Sequence, residues 1–148
     1  MVFWGLKDTT IDFCETTHDK SIYIAEYYNS LSGSSYALVG FYFLSTKFYK
    51  IGCTLISLGL GTILLHSTQR WYGQYLDELS MLYLSFQVIE YLRFKQHKQT
   101  SKLWLPLGLS IYLHNYNVLF LMIFAICQVY ILFFLKKPPP KKNNELTV

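Results

Sequence analysis

Residues 61–79 read GTILLHSTQRWYGQYLDEL, an apolar run that ends in a histidine and resumes at an Asp-Glu pair. In a helix over residues 51–66, Gly59, Thr62 and His66 fall three and four apart and share one face. In the next helix, over 76–94, Asp77, Ser80, Gln87 and Tyr91 form a second polar stripe by the same spacing. Such stripes turn toward the interior of a helix bundle, because an apolar surrounding offers them no hydrogen-bond partner. An imidazole facing a carboxylate suits a metal ligand whose neighbour orients the ring or takes a proton. Structural readings compete with this one. A histidine at a helix end is commonly a hydrogen-bonded or interfacial residue, and carboxylates in a first helical turn meet the positive end of the helix dipole. The dipole reading suits Glu78, whereas Asp77 begins the polar stripe.

A second set lies near the N-terminus. Asp12, Glu15, Asp19 and Glu26 are hard oxygen donors close in sequence, the type calcium takes. They lack EF-hand spacing, and by composition alone a solvated acidic face is the favoured reading.

The elements that must position these groups follow from composition. Of 148 residues, 52% are hydrophobic and 18% aromatic, and the mean hydropathy is +0.24. Only 15% are charged, against roughly 25% in a soluble domain. A lipid bilayer as solvent is the simplest account. The net charge of +4 sits in short clusters flanking apolar segments, which does not suit nucleic acid. Cys14, Cys53 and Cys127 have neither even count nor metal-type spacing. The opening MVFWGLKDTT lacks the basic start and apolar core of a cleaved signal, so the first hydrophobic helix would act as its own anchor.

The pattern predicts an all-α polytopic transmembrane bundle. An acidic region with an amphipathic lead-in covers 1–33, the bundle covers 34–135, and a basic, proline-rich tail covers 136–148. Five apolar segments are predicted at 34–49, 51–66, 76–94, 103–114 and 118–135. About 20 helical residues cross a bilayer core, so the shorter segments must borrow flanking turns. Five spans place ten Lys and Arg residues on one side and Lys7, Lys20 and Arg70 on the other. The positive-inside rule then puts the N-terminus outside or in the lumen and the tail in the cytosol. His66, Asp77, the N-terminal carboxylates and the turn LHNYN share the outer face.

Two blocks carry a resemblance. WGLKDTTIDFCETTHDKSIYIAEYYNSLSG (4–33) holds a Trp-Gly, an Asp-aromatic-Cys-Glu and a Tyr-Ile-Ala-Glu-aromatic-aromatic-Asn, and GLGTILLHSTQRWYGQYLDELSMLY (59–83) holds a His and an Asp-Glu-Leu. In this order they resemble the alkaline ceramidases. The resemblance implies a seven-helix membrane amidase that cleaves ceramide to sphingosine and fatty acid, with zinc held by three histidines and calcium at the acidic N-terminal region. Carried over by position, His66 matches a zinc ligand, Asp77 the carboxylate near the metal, and Thr62 the family's catalytic serine. Asp12, Phe13 through its carbonyl, Glu15, Thr17 and Glu26 match the calcium positions, with Thr17 standing where Asn is common. Zinc would lower the pKa of bound water to about 7, and a carboxylate would accept the proton.

The resemblance also implies a His-x-x-x-His pair on the last helix. The histidines here are His18, His66, His97 and His114, and they form no such pair, so the chain reads as C-terminally truncated with one identifiable zinc ligand. A partner chain could supply the missing helices. Three functions follow: a ceramide hydrolase, an inactive relative that binds lipid or calcium, and a small polytopic channel or assembly protein whose polar stripe lines a pore. The expected setting is the endoplasmic reticulum, the Golgi or a host cell membrane.

Overall fold

The computed structural model describes residues 3–97 and 117–136. These residues form four helices and no strand: α1 (Tyr27–Leu44), α2 (Tyr49–Thr68), α3 (Trp71–His97) and α4 (Asn117–Lys136). The predicted fourth segment 103–114, the turn LHNYN with His114, and the tail from 137 lie outside the described residues. The side chain of His97 does too.

Two helices are long and apolar enough to cross a membrane, Tyr49–Thr68 and the stretch Leu119–Lys136 of α4, with hydropathies of 1.5 and 2.3. Five segments of that kind were expected. α3 carries Asp77, Glu78, Glu90 and Arg93, and α1 opens with Asn29, Ser30 and Ser32, which lowers their hydropathy. The interior is nonetheless what lipid as solvent demands. Thr54, Thr62, His66, Gln74, Glu78, Ser80 and Ser85 are buried, while Leu38, Phe41, Leu60, Ile126, Val129 and Leu132 are exposed. Polar groups that need partners turn inward beside Leu58, Leu65, Leu82 and Ile89, while many other aliphatic side chains face out.

Helices α1, α2 and α3 pack in sequence, and α4 packs on α3. Glycine sets the spacing. A Cβ on Gly33 would fall 2.8 Å from the Gly59 carbonyl oxygen, and one on Gly40 would fall 2.7 Å from that of Gly52. These two backbone approaches fix α1 antiparallel to α2, as small residues do between helices in lipid. Across the next interface, Gly61 lies against the Asp77 backbone and Gly73 against Leu65, each leaving 2.6 Å to the facing amide nitrogen. Ser57 and Ser80 join there by a 3.0 Å hydrogen bond, and Thr54 donates to Gln87 Oε1 at 3.2 Å. The predicted polar stripes of α2 and α3 therefore face one another. Tyr91, the last of the second stripe, instead packs edge-on to Phe48 at 5.7 Å and is partly exposed.

The N-terminal segment has no helix of its own and serves the ends of the others. The last carbonyls of a helix have no partner within it. At the end of α2 they accept from this segment: Glu26 N–H donates to His66 O at 2.8 Å, Ala25 N–H to Ser67 O at 3.0 Å, and Asp8 N–H to the C-cap Gln69 O at 3.2 Å. The orphan donors at helix starts are met by carboxylates. Glu15 accepts from the N–H groups of Tyr28 and Asn29 at 2.8 and 2.9 Å, and Asp8 accepts from Trp71 N–H at 2.7 Å. Glu15 thus caps α1 from far along the chain, supplying what the uncapped Glu26 does not.

Because Asp8 caps Trp71, α3 begins five residues before the predicted 76. The connection from α2 is only Gln69 and Arg70, with Gln69 in the left-handed conformation (φ 50°). Asp77 and Glu78 therefore lie beyond the first turn of α3, which holds no acidic residue. The dipole reading of Glu78 is corrected accordingly. Glu78 is buried and accepts from Gln74 Nε2 at 2.7 Å, and Gln74 in turn bonds Thr10.

Candidate functional site

His66 sits in the last turn of α2 and is buried. Its Nδ1 lies 2.6 Å from Glu26 Oε2, and the Phe13 ring stands edge-on to the imidazole, centroids 4.5 Å apart. Glu26 is fully buried. Its other oxygen accepts from Gln69 Nε2 at 2.8 Å, and Asn29 Nδ2 donates to Oε2 at 3.0 Å. In the tautomer that donates Nδ1–H to this carboxylate, Nε2 keeps its lone pair.

One turn before His66, the Thr62 hydroxyl donates to Asp77 Oδ1 across the α2–α3 interface and to Leu58 O at 2.9 Å. Thr62, His66 and Asp77 line one cavity of about 520 Å³. α1 contributes Ser32 and Tyr36 to its wall, and α4 contributes Phe124 and Gln128. Gln128 Nε2 donates to Ser85 Oγ at 3.0 Å, placing a polar pair farther along the cavity. The helices α1 and α4 do not pack on each other, so the cavity runs between them. A polar end with an imidazole, a hydroxyl and a carboxylate thus opens into a largely apolar slot.

The expected zinc set is met in part. A histidine whose Nδ1 is held by a carboxylate, with Nε2 left over, is the form a metal-binding imidazole takes. Among the described residues, however, no three His, Cys, Asp or Glu side chains are grouped to hold a metal. The residues present fit one zinc ligand and its supporting carboxylate.

The expected calcium residues are dispersed among other tasks. Glu15 spans two amides at the start of α1, and Glu26 holds His66. Asp12 is exposed and pairs with Lys7, Phe13 packs on His66, and Thr17 is exposed. Glu15 and Glu26 meet around Asn29, whereas Asp12 is not drawn in with them.

Sequence reasoning missed the Glu26–His66 contact and the Gln128–Ser85 pair. Neither has a periodicity to reveal it, since each joins residues about forty apart. Burial of a carboxylate in the tract Tyr-Ile-Ala-Glu was the available signal.

Comparison with known proteins bears on the same residues. The family model Ceramidase matches residues 5–142. Alkaline ceramidase YPC1 of Saccharomyces cerevisiae is 38% identical over 88 residues, covering 54% of this chain and 28% of its own length. Alkaline ceramidase 3 of Mus musculus is 25% identical over 124 residues, 78% of this chain and 46% of its own. An alkaline ceramidase of Arabidopsis thaliana is 35% identical over 89 residues, 55% of this chain and 35% of its own. The chain spans less than half the length of each of these curated relatives.

Proposed function

The chain belongs to the ceramidase family, and from that premise we propose that it is the ceramide-binding and proton-handling part of a membrane amidase that splits ceramide into sphingosine and fatty acid. The observation that carries the reading is the cavity where Thr62, His66 and Asp77 meet at the polar end of an apolar slot. A two-chain lipid would lie in the slot with its amide against the polar end. Asp77 would accept a proton from the attacking water, and Thr62 would hold that carboxylate in place. Glu26 would hold the imidazole of His66.

His66 Nε2 would provide one ligand to zinc, which when bound lowers the pKa of water and polarises the amide carbonyl. Other ligands would come from outside the described residues or from a partner chain. Asp12, the Phe13 carbonyl, Glu15, Thr17 and Glu26 are the proposed calcium residues. They would have to exchange some present partners for the ion. The chain would be a multi-pass protein with five spans, its N-terminus outside or lumenal and its tail cytosolic, in the endoplasmic reticulum, the Golgi or a host cell membrane.

The absence of any group of three His, Cys, Asp or Glu side chains among the described residues favours one other reading, an inactive relative that keeps the lipid-binding shell. One assay separates the two. Purified protein in lipid, supplied with zinc and calcium, is expected to release long-chain base from ceramide, and His66→Ala is expected to abolish it. Ceramide binding without release in both proteins assigns the inactive reading. Equal release from both overturns the role given to His66.

A further inference from the structure

Within the acidic N-terminal segment lies an ordered aromatic cluster for which the site has no use. The Phe3 ring stands edge-on to both Trp4 and Tyr23, with centroids 4.9 Å away in each case. Trp4 Nε1–H donates to the Tyr23 carbonyl at 2.7 Å, so the one polar atom of the indole is already satisfied. All three rings are nonetheless exposed, at 59%, 41% and 53%, and their chain neighbours Leu6 and Ile22 are exposed at 85% and 63%. Clusters of this size rarely face water without a partner.

The cluster is also fixed in place. The backbone of Ala25 and Glu26, just after Tyr23, is hydrogen-bonded to the last turn of α2. Leu6, just after Trp4, accepts from Arg70 Nη1 at 2.8 Å, a contact made through the left-handed turn at Gly5 (φ 85°). The rings are therefore bolted to the end of a helix apolar and long enough to cross a membrane. With α2 crossing the bilayer, that end falls at the interface, the depth at which Trp and Tyr concentrate.

The segment's acidity does not oppose this. Asp12 pairs with Lys7, Asp19 with Lys20 at 3.1 Å and Asp8 with Arg70 at 3.2 Å. Glu15 is spent on two amides and Glu26 is buried. Each carboxylate is matched locally, so the segment can approach lipid headgroups without a field of unpaired negative charge.

We propose that Phe3, Trp4 and Tyr23, with Leu6 and Ile22, form a docking platform that seats the N-terminal segment in the headgroup–acyl boundary of the bilayer. The partner is the lipid surface itself. Seated there, the segment brings Glu26 to His66 at the depth of the interface. The proposal rests on α2 crossing the membrane and does not depend on ceramide hydrolysis.

The test uses the full chain in phosphatidylcholine nanodiscs, with Trp71→Phe and Trp104→Phe leaving Trp4 as the reporter. Lipids brominated near the glycerol end of the acyl chain are expected to quench its emission strongly, as for an indole at headgroup depth, while aqueous acrylamide quenches it weakly. In the otherwise native chain, Trp4→Phe is expected to delete the same bromolipid-sensitive fraction, a check independent of the double substitution. Phe3→Ser with Tyr23→Ser is expected to shift Trp4 from lipid to acrylamide quenching. A chain that enters nanodiscs yet shows Trp4 fully open to acrylamide and insensitive to bromolipid overturns the platform alone. Failure to enter nanodiscs overturns the platform together with the membrane-spanning reading.

Discussion

Glu26 Oε2 lies 2.6 Å from His66 Nδ1, in a contact that buries the carboxylate completely. The extended backbone at Glu26 makes it possible. The residue donates its N–H to the His66 carbonyl at 2.8 Å while its side chain turns back to the same residue's ring. Backbone and side chain thus hold one histidine from both ends. Three donors, from His66, Asn29 and Gln69, converge on one carboxylate, which compensates for removing its charge from water.

Glu26→Gln keeps the volume but loses the charge and one acceptor oxygen. Carboxylates that support a metal-binding histidine are worth about 10- to 100-fold in metal affinity or activity. The substitution is expected to lower both the zinc retained after dialysis and the rate of ceramide hydrolysis within that range. Glu26→Ala, which strands the Gln69 and Asn29 donors as well, is expected to lower the thermal midpoint further. Wild-type zinc retention in Glu26→Gln would mean that the carboxylate does not serve the ring.

Gly61 is one of two glycines at which α2 and α3 approach closely, with 2.6 Å between its notional Cβ and the Asp77 nitrogen. Both are backbone, so neither can rotate away. Gly61→Ala is expected to force the helices apart, at about 1–3 kcal/mol for an overpacked contact, and to stretch the Thr62–Asp77 bond in the next register position. Thermal unfolding in lipid reads the first effect and hydrolysis the second. An unchanged midpoint would contradict the packing described.

The two polar stripes, at Thr62 and His66 on α2 and at Asp77, Ser80 and Gln87 on α3, were legible because helical spacing alone sets them and lipid forces them inward. The ends were not. Trp71 to Gln74 carry no apolar periodicity, and nothing within them announces that Asp8, some sixty residues away, would cap Trp71. Glu78 looked like a helix-start charge for the same reason. Glu15 and Glu26 were legible as carboxylates of interest, but which group each would meet depended on how the N-terminal segment folds back over α2.

Glu15 offers a way to separate capping from ion binding. Its two oxygens accept the Tyr28 and Asn29 amides, a cap worth about 0.5–2 kcal/mol by analogy with N-cap removals. Glu15→Ala is expected to lower stability by that much even with calcium chelated, because capping requires no metal. A loss that appears only when calcium is present would assign the carboxylate to the ion alone.

Thr62 has one hydroxyl proton and two acceptors, Asp77 Oδ1 and the Leu58 carbonyl. Its service to Asp77 is therefore a matter of a single donor. Thr62→Ser keeps that donor and is expected to retain most of the activity. Thr62→Val has the same shape but no donor, leaving Asp77 free to turn in the cavity, and is expected to lose activity with little change in thermal midpoint. Asp77→Asn removes the proton acceptor itself, for which losses of about 10²- to 10⁴-fold are usual. The expected order is wild type, then Ser, then Val, then Asn, measured as initial rates of long-chain base release at saturating ceramide. If Val matched Ser, Thr62 would be a packing residue and the carboxylate would keep its position through α3 alone.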